Sequence, residues 1–171
     1  MKKALTLFIT LLLMPINAYS EEPYEYLIGR GMSDITGPAF GIQLWGFGRE
    51  DQISEGIHIR QKARAFIIAD AQLNSRIAFV TADIGSIEHH ITLEVLSRLK
   101  DQYADQYQID NVIISATHTH AAPTGYWHSR TDLGLDGGFY PQHFNSIVDG
   151  IVESIGKAHE DLEPGNIYIN R

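Results

Sequence analysis

The sequence predicts a mixed α/β fold, a sheet containing a βαβ unit with flanking helices. Three observations predict it. Residues 77–83 (IAFVTAD) and 111–117 (NVIISAT) are short apolar runs of strand length. Between them Ile91, Leu93, Val95, Leu96, Leu99 and Tyr103 recur near helical spacing, with charges interspersed. A strand, a helix of about three turns and a second strand make a crossover, so the two strands are parallel and the connection right-handed. Upstream, 62–69 (KARAFIIA) alternates as a strand and leads into 77–83 through a polar turn at Gln72-Leu73-Asn74-Ser75. Downstream, Phe144, Ile147, Val148, Ile151, Ile155 and Ala158 mark a second amphipathic helix. Residues 167–169 are expected to begin a further strand.

Composition limits what such a fold does. The chain has 171 residues, 44% hydrophobic and 20% charged, enough for one domain with its own apolar core. It has no cysteine, which excludes disulfides, thiolate metal sites and a cysteine nucleophile. Its net charge of -8 lacks the basic surplus of a nucleic-acid binder and does not favour an anionic membrane surface.

Residues 1–20 read as an export leader rather than as fold. Lys2 and Lys3 precede about a dozen apolar residues, and Ala18-Tyr19-Ser20 offers small residues for cleavage after Ser20. The apolar stretch is shorter than the roughly 20 residues of a comfortable bilayer span, so an uncleaved anchor is the lesser alternative. The expectation is a signal peptide at 1–20, a domain over 21–171, and a secreted, periplasmic or cell-surface location. Residues 27–48 are then dense in glycine. Gly37-Pro38 and the later glycines break any helix, and no Lys-Ser/Thr pair follows, so a phosphate-binding loop is disfavoured. Tight turns packed beneath a site, with close backbone approach, account better for these glycines.

The crossover brings two polar motifs to one sheet edge. Asp83-Ile84-Gly85 and His118-Thr119-His120 both follow strands that end there, where open α/β sheets place ligands. In extended backbone, residues i and i+2 point the same way, so both imidazoles would face one point. One or both could bind a metal, or one could bind while the other handles protons; the equal alternative is a chance HxH triplet at a strand end with both imidazoles merely hydrogen-bonded. A catalytic zinc usually takes three protein ligands, and Asp83, His89, His90, His128 and His143 are the candidates for a third. Asp83 is best placed, either as a ligand or as an outer acceptor for a histidine N–H; a helix cap or strand-end turn is its simpler role. His89 and His90 read as surface residues. His58, His143 and His159 stand in no motif and are expected in solvent; His128 follows Tyr126-Trp127 in a loop where it could line a pocket mouth, with an ordinary loop residue the favoured reading.

Several segments together resemble one family. IGRGMSDITGP (28–38), LWGFGRE (44–50), GIHIRQKARAFII (56–68), TADIG (81–85), LEVLSRL (93–99) and NVIISATHTHAAPTGY (111–126) resemble the neutral ceramidases in order and spacing, continuously from about Tyr26 to the C-terminus. The resemblance implies a zinc-dependent amidase that cleaves ceramide to sphingosine and a fatty acid. It implies that His118 is a zinc ligand and that His120 lies beside the metal and assists substrate or the tetrahedral intermediate. It also implies that the 44–48 turn approaches the substrate's polar head, making Gly46 and Gly48 candidate binding positions. Asp83 remains a candidate from topology alone. Members of that family are several times longer, and their remaining zinc ligands and later substrate-binding residues have no counterpart here. The expectation is the N-terminal portion of a larger catalytic domain, inactive alone, with the rest of the protein as a partner. Other HxH metal hydrolases fit poorly: Ala122-Pro123 stands where a metallo-β-lactamase-like site needs Asp-His, and an amidohydrolase barrel needs roughly 250 residues. A secreted, non-catalytic binding module is the alternative of another class.

Overall fold

The computed structural model describes residues 24–49, 51–127 and 138–170, so the expected leader and His128 lie outside the described residues. In chain order it contains β1 (Tyr26–Asp34), β2 (Lys62–Asp70), β3 (Arg76–Ala82), α1 (His89–Tyr103), β4 (Val112–Ala116), α2 (Pro141–Glu160) and β5 (Glu163–Gly165). The strands form one sheet in the order β4-β3-β2-β1-β5. β3 and β4 are parallel, joined through α1 as the crossover requires, and the other neighbours are antiparallel. β1, β3 and β4 therefore all point toward the same edge. The mixed α/β class and the βαβ unit are as the sequence predicts.

Each central strand alternates between two faces. Ala63, Ala65 and Ile67 of β2 and Ala78, Val80 and Ala82 of β3 are buried on one face. Ile91, Val95 and Leu99 of α1 and Ile147, Ile151 and Ile155 of α2 are buried in the same cluster, so both helices cover that face. Each fully buried Ile or Leu contributes about 1.5–3 kcal/mol of burial free energy. The β2–β3 turn is held by Asp70, whose Oδ1 accepts from the Gln72 and Asn74 amides and whose Oδ2 accepts from Ser75.

The glycine-rich segment departs from expectation, because its first part is not a run of turns. Residues Tyr26–Asp34 form a nine-residue strand paired along its whole length with β2. Gly29 and Gly31 stand opposite Ile67 and Ala65, on the helix-covered face. A Cβ at Gly29 would lie 1.9 Å from the Ala158 carbonyl oxygen, and one at Gly31 would lie 2.0 Å from that of Ser154. The expected close approach is real; what approaches is the backbone of α2. Gly150 completes the contact from the helix side, where a Cβ would meet the Asp34 carbonyl oxygen at 2.4 Å. The expected strand at 167–169 is also displaced: β5 is Glu163–Gly165, and Ile167 to Ile169 are exposed without regular structure.

The opposite sheet face carries large apolar side chains in the open. Register aligns Arg30, Phe66, Phe79 and Ile113 across four strands, and both phenylalanines and Ile113 are more than 40% exposed. Among the described residues, no helix is long and apolar enough to cross a membrane.

Two outcomes are expected. Gly31→Val forces β1 and α2 apart and should lower unfolding free energy by about 1–3 kcal/mol in urea titrations, as overpacking does elsewhere. The open apolar face should make the purified chain self-associate. Sedimentation should then show a shift toward monomer when Phe66→Lys and Phe79→Glu are combined; a monodisperse wild-type monomer would contradict this.

Candidate active site

Because β1, β3 and β4 end on one edge, the segments that follow them meet there. The chain after β1 forms an extended excursion whose residues 43 and 44 bridge to Ile53 and Pro123. The Trp45 amide donates to the Ala122 carbonyl at 3.0 Å. Thr124 answers from the other side, donating its amide at 2.8 Å and its hydroxyl at 3.0 Å to the Gln43 carbonyl. These bonds place the glycine-rich excursion directly against the segment after β4.

The HTH motif lies just past β4, not within it. The strand ends at Ala116, and the Thr117 amide continues the ladder by donating to Ala82. His118 then turns into the left-handed region at φ 60°, so extended geometry does not aim the two histidines. They converge nevertheless, with ring centroids 5.4 Å apart. What brings them together is Trp45, whose ring sits edge-on to His118 at 4.8 Å and to His120 at 5.1 Å. Phe47 closes on His120 at 5.4 Å. His118 is exposed and His120 half-buried.

Glycines make this aromatic box possible. A Cβ at Gly85 would lie 2.1 Å from the Trp45 indole, so only glycine lets Trp45 lie over the β3–α1 connection. Gly46 has φ +83°, and a Cβ there would lie 2.6 Å from His120 Cε1. Thus Gly46 approaches the His120 ring itself, and the exposed Gly48, at φ 62°, continues the same turn. Asp83 reaches the same edge, but its oxygens are engaged by β2. Oδ1 accepts from Arg64 at 2.8 Å and Oδ2 from the Lys62 amide at 3.0 Å. Among the described residues it makes no hydrogen bond to His118 or His120.

The remaining histidines divide. His58, His89 and His90 are exposed, as expected. His159 is only half-buried, and its Nδ1 shares a 2.8 Å hydrogen bond with the Tyr107 hydroxyl. His143 overturns its expectation of solvent: it is 0% exposed, on the inner face of α2. Its Nε2 lies 3.3 Å from the Pro123 carbonyl, and its ring packs 5.7 Å from that of Tyr126. Burial pushes the His143 imidazole below its ordinary pKa, against the opposing pull of the Pro123 carbonyl. Burial likewise lowers His159, helped by the charge of Arg76.

Imidazole donors suit zinc, but two of them fall short of a catalytic set. Among the described residues, no group of three His, Cys, Asp or Glu side chains is arranged to hold a metal. Sequence reasoning weighed the histidines and glycines and missed the aromatics. The alternation Trp45-Gly46-Phe47-Gly48 was the available signal, since glycines flanking aromatic rings permit close ring packing.

Residues 26–171 match the family described as neutral/alkaline non-lysosomal ceramidase, N-terminal. The chain belongs to the neutral ceramidase family. It is 45% identical over 166 residues to neutral ceramidase 3 of Arabidopsis thaliana, covering 97% of this chain and 22% of that protein. It is 41% identical over 167 residues to the neutral ceramidase of Pseudomonas aeruginosa, covering 96% of this chain and 24% of that protein. The crystal structure of neutral ceramidase from Pseudomonas aeruginosa superposes with a TM-score of 0.80 at 42% identity, over 84% of this chain and 23% of that one. A structure described as ceramidase complexed with C2 gives 0.79 at 43% identity, over 83% of this chain and 22% of that one. The chain therefore spans between a fifth and a quarter of the length of these neutral ceramidases.

The buried, neutral His143 has a pH consequence. Its folded pKa is depressed, so the unfolded chain binds the proton more readily. Its full contribution is present above the unfolded value of about 6.5 and is lost as pH falls from there through the folded pKa. Urea midpoints measured from pH 7.5 down to 5 should fall with acid, His143 contributing at most about 1.4 kcal/mol per pH unit. The slope should flatten in His143→Gln.

Proposed function

We propose that this chain supplies one wall of the active site of a zinc-dependent amidase that hydrolyses ceramide to sphingosine and fatty acid. The observation that carries the reading is the His118–Trp45–His120 cluster at the carboxyl edge of β3 and β4, in a chain of the neutral ceramidase family. His118 is the residue that would hold zinc; its exposure leaves room for donors brought by other segments. When bound, zinc would lower the pKa of a water and polarise the amide carbonyl.

The chain's own side chains prepare the site around that chemistry. Packing of Trp45 and Phe47 against His120 fixes the plane of its imidazole, and Gly46 lets the main chain run beneath the ring. A ring so held can meet the developing oxyanion without reorganising, and electrostatic stabilisation depends on such preorganisation. Gly46 and Gly48 present main chain free of side-chain bulk to a substrate's polar head. Asp83, bonded to Arg64 and to the Lys62 amide, ties the end of β3 to β2. Because the described residues provide two imidazoles and no third donor, no catalytic step is assigned to this chain alone. Its working partner is then the remainder of a longer catalytic domain, and its substrate a lipid presented at a membrane or micelle. Export through residues 1–20 is the matching location.

A chimera tests the proposal. Residues 24–171 of this chain, replacing the matching part of the Pseudomonas aeruginosa neutral ceramidase, should restore hydrolysis of a fluorescent ceramide. His118→Ala in that chimera should cost more than the roughly 10–100-fold typical of losing an outer-sphere partner. The 171-residue chain alone should show neither turnover nor stoichiometric zinc. A folded but inactive chimera, or robust turnover by the isolated chain, would sink the reading.

A further inference from the structure

We propose that His143 is a positioning residue, which sets the place of the His118/His120 pair through the carbonyl of Pro123. The segment between His120 and α2 is tied in two directions. On one side Ala122 and Thr124 bond to Trp45 and Gln43, and the Trp45 ring touches both histidine rings. On the other, the start of α2 and the residue before it hold the segment at two points: the Tyr140 amide donates to the Gly125 carbonyl at 2.7 Å, and His143 Nε2 meets the Pro123 carbonyl at 3.3 Å. Proline has no N–H, so its carbonyl is the one strong hydrogen-bonding group Pro123 brings to this contact. Only a side chain that donates can use it, and this assigns the neutral Nε2–H tautomer to His143.

The other ring nitrogen shows that packing alone does not explain a histidine here. His143 is completely buried, and its Nδ1 has no hydrogen-bond partner among the described residues. That nitrogen faces Gly37, where a Cβ would lie 2.2 Å away. A buried acceptor without a partner is unfavourable, and a leucine or phenylalanine would fill the site without it. The bond to Pro123 is what such residues cannot supply. Through one ring, α2 thus touches both site-forming excursions: Gly37 after β1 and Pro123 after β4. Since α2 is seated on β1 through Gly29 and Gly31, the histidine pair is referenced to the rigid layer of the fold.

The inference takes His118 and His120 to be the site but depends on neither zinc nor ceramide, so it is tested without them. Nitrogen-15 NMR of the full chain at neutral pH should show His143 as a single Nε2–H tautomer with slow solvent exchange; an Nδ1–H tautomer would overturn the proposal. His143→Leu should keep or raise the thermal midpoint yet shift the ring resonances of His118 and His120 away from their wild-type positions. His143→Gln, which retains a donor, should return those resonances toward wild type. Unchanged His118 and His120 resonances in folded His143→Leu would reduce His143 to packing, as would His143→Gln failing to restore them. Should His143→Leu not fold, the wild-type tautomer and the His143→Gln spectrum still decide. Loss of ceramide hydrolysis in the chimera with these spectra intact would refute the amidase reading and leave this one standing.

Discussion

The structure depends on a contact between two pieces of main chain. Helix α2 lies so close to β1 that the positions facing it, Gly29 and Gly31, have no room for even a methyl group. Helix-on-sheet packing usually interdigitates side chains; here the helix meets bare backbone from Gly150 to Ala158, while Ile147, Ile151 and Ile155 pack into the core beside that contact. That seat fixes α2, and the start of α2, with Tyr140 just before it and His143 within it, fixes the segment after β4. The glycines of β1 act on the site at a distance, because they define how deep the helix that braces it can sit.

Strand direction does the remaining work of convergence. Two antiparallel pairings followed by a crossover through α1 leave β1, β3 and β4 parallel to one another although only β3 and β4 are paired that way. Their three following segments share one edge without any long connection having to travel there. The site uses each: Trp45 and Gly46 from the first, Gly85 from the second, and His118 and His120 from the third. Its glycines are complementary to rings on other segments, Gly85 to Trp45, Gly46 to His120 and Gly37 to His143. Ring-on-glycine contact lets aromatic side chains orient imidazoles in a region with few hydrogen bonds between side chains.

Much of this was legible in the residues. β2 and α1 follow from periodicity, and β3 and β4 from their short apolar runs; none of them contains glycine. β1 was obscured for the opposite reason: its inward positions are glycines, so the apolar half of the alternation is missing where the neighbour is backbone. β5 is short and contains proline, leaving no pattern to read. The histidine pair was found by spacing, yet the expected reason was not the operative one, since His118 leaves extended geometry and Trp45 supplies the convergence. His143 was hidden because one histidine on an amphipathic helix looks the same whether it faces water or core; only the partner carbonyl, twenty residues back in the chain, distinguishes them.

The seat of α2 on β1 also orders events in time. The β2–β3 hairpin is local, but β1 finds its helix and its outer neighbour β5 more than a hundred residues downstream. Such distant contacts carry the largest loop-closure cost and form slowly. During synthesis, the first strand of the sheet therefore leaves the ribosome early and stays without its helix or its second edge until nearly all of this region has been made.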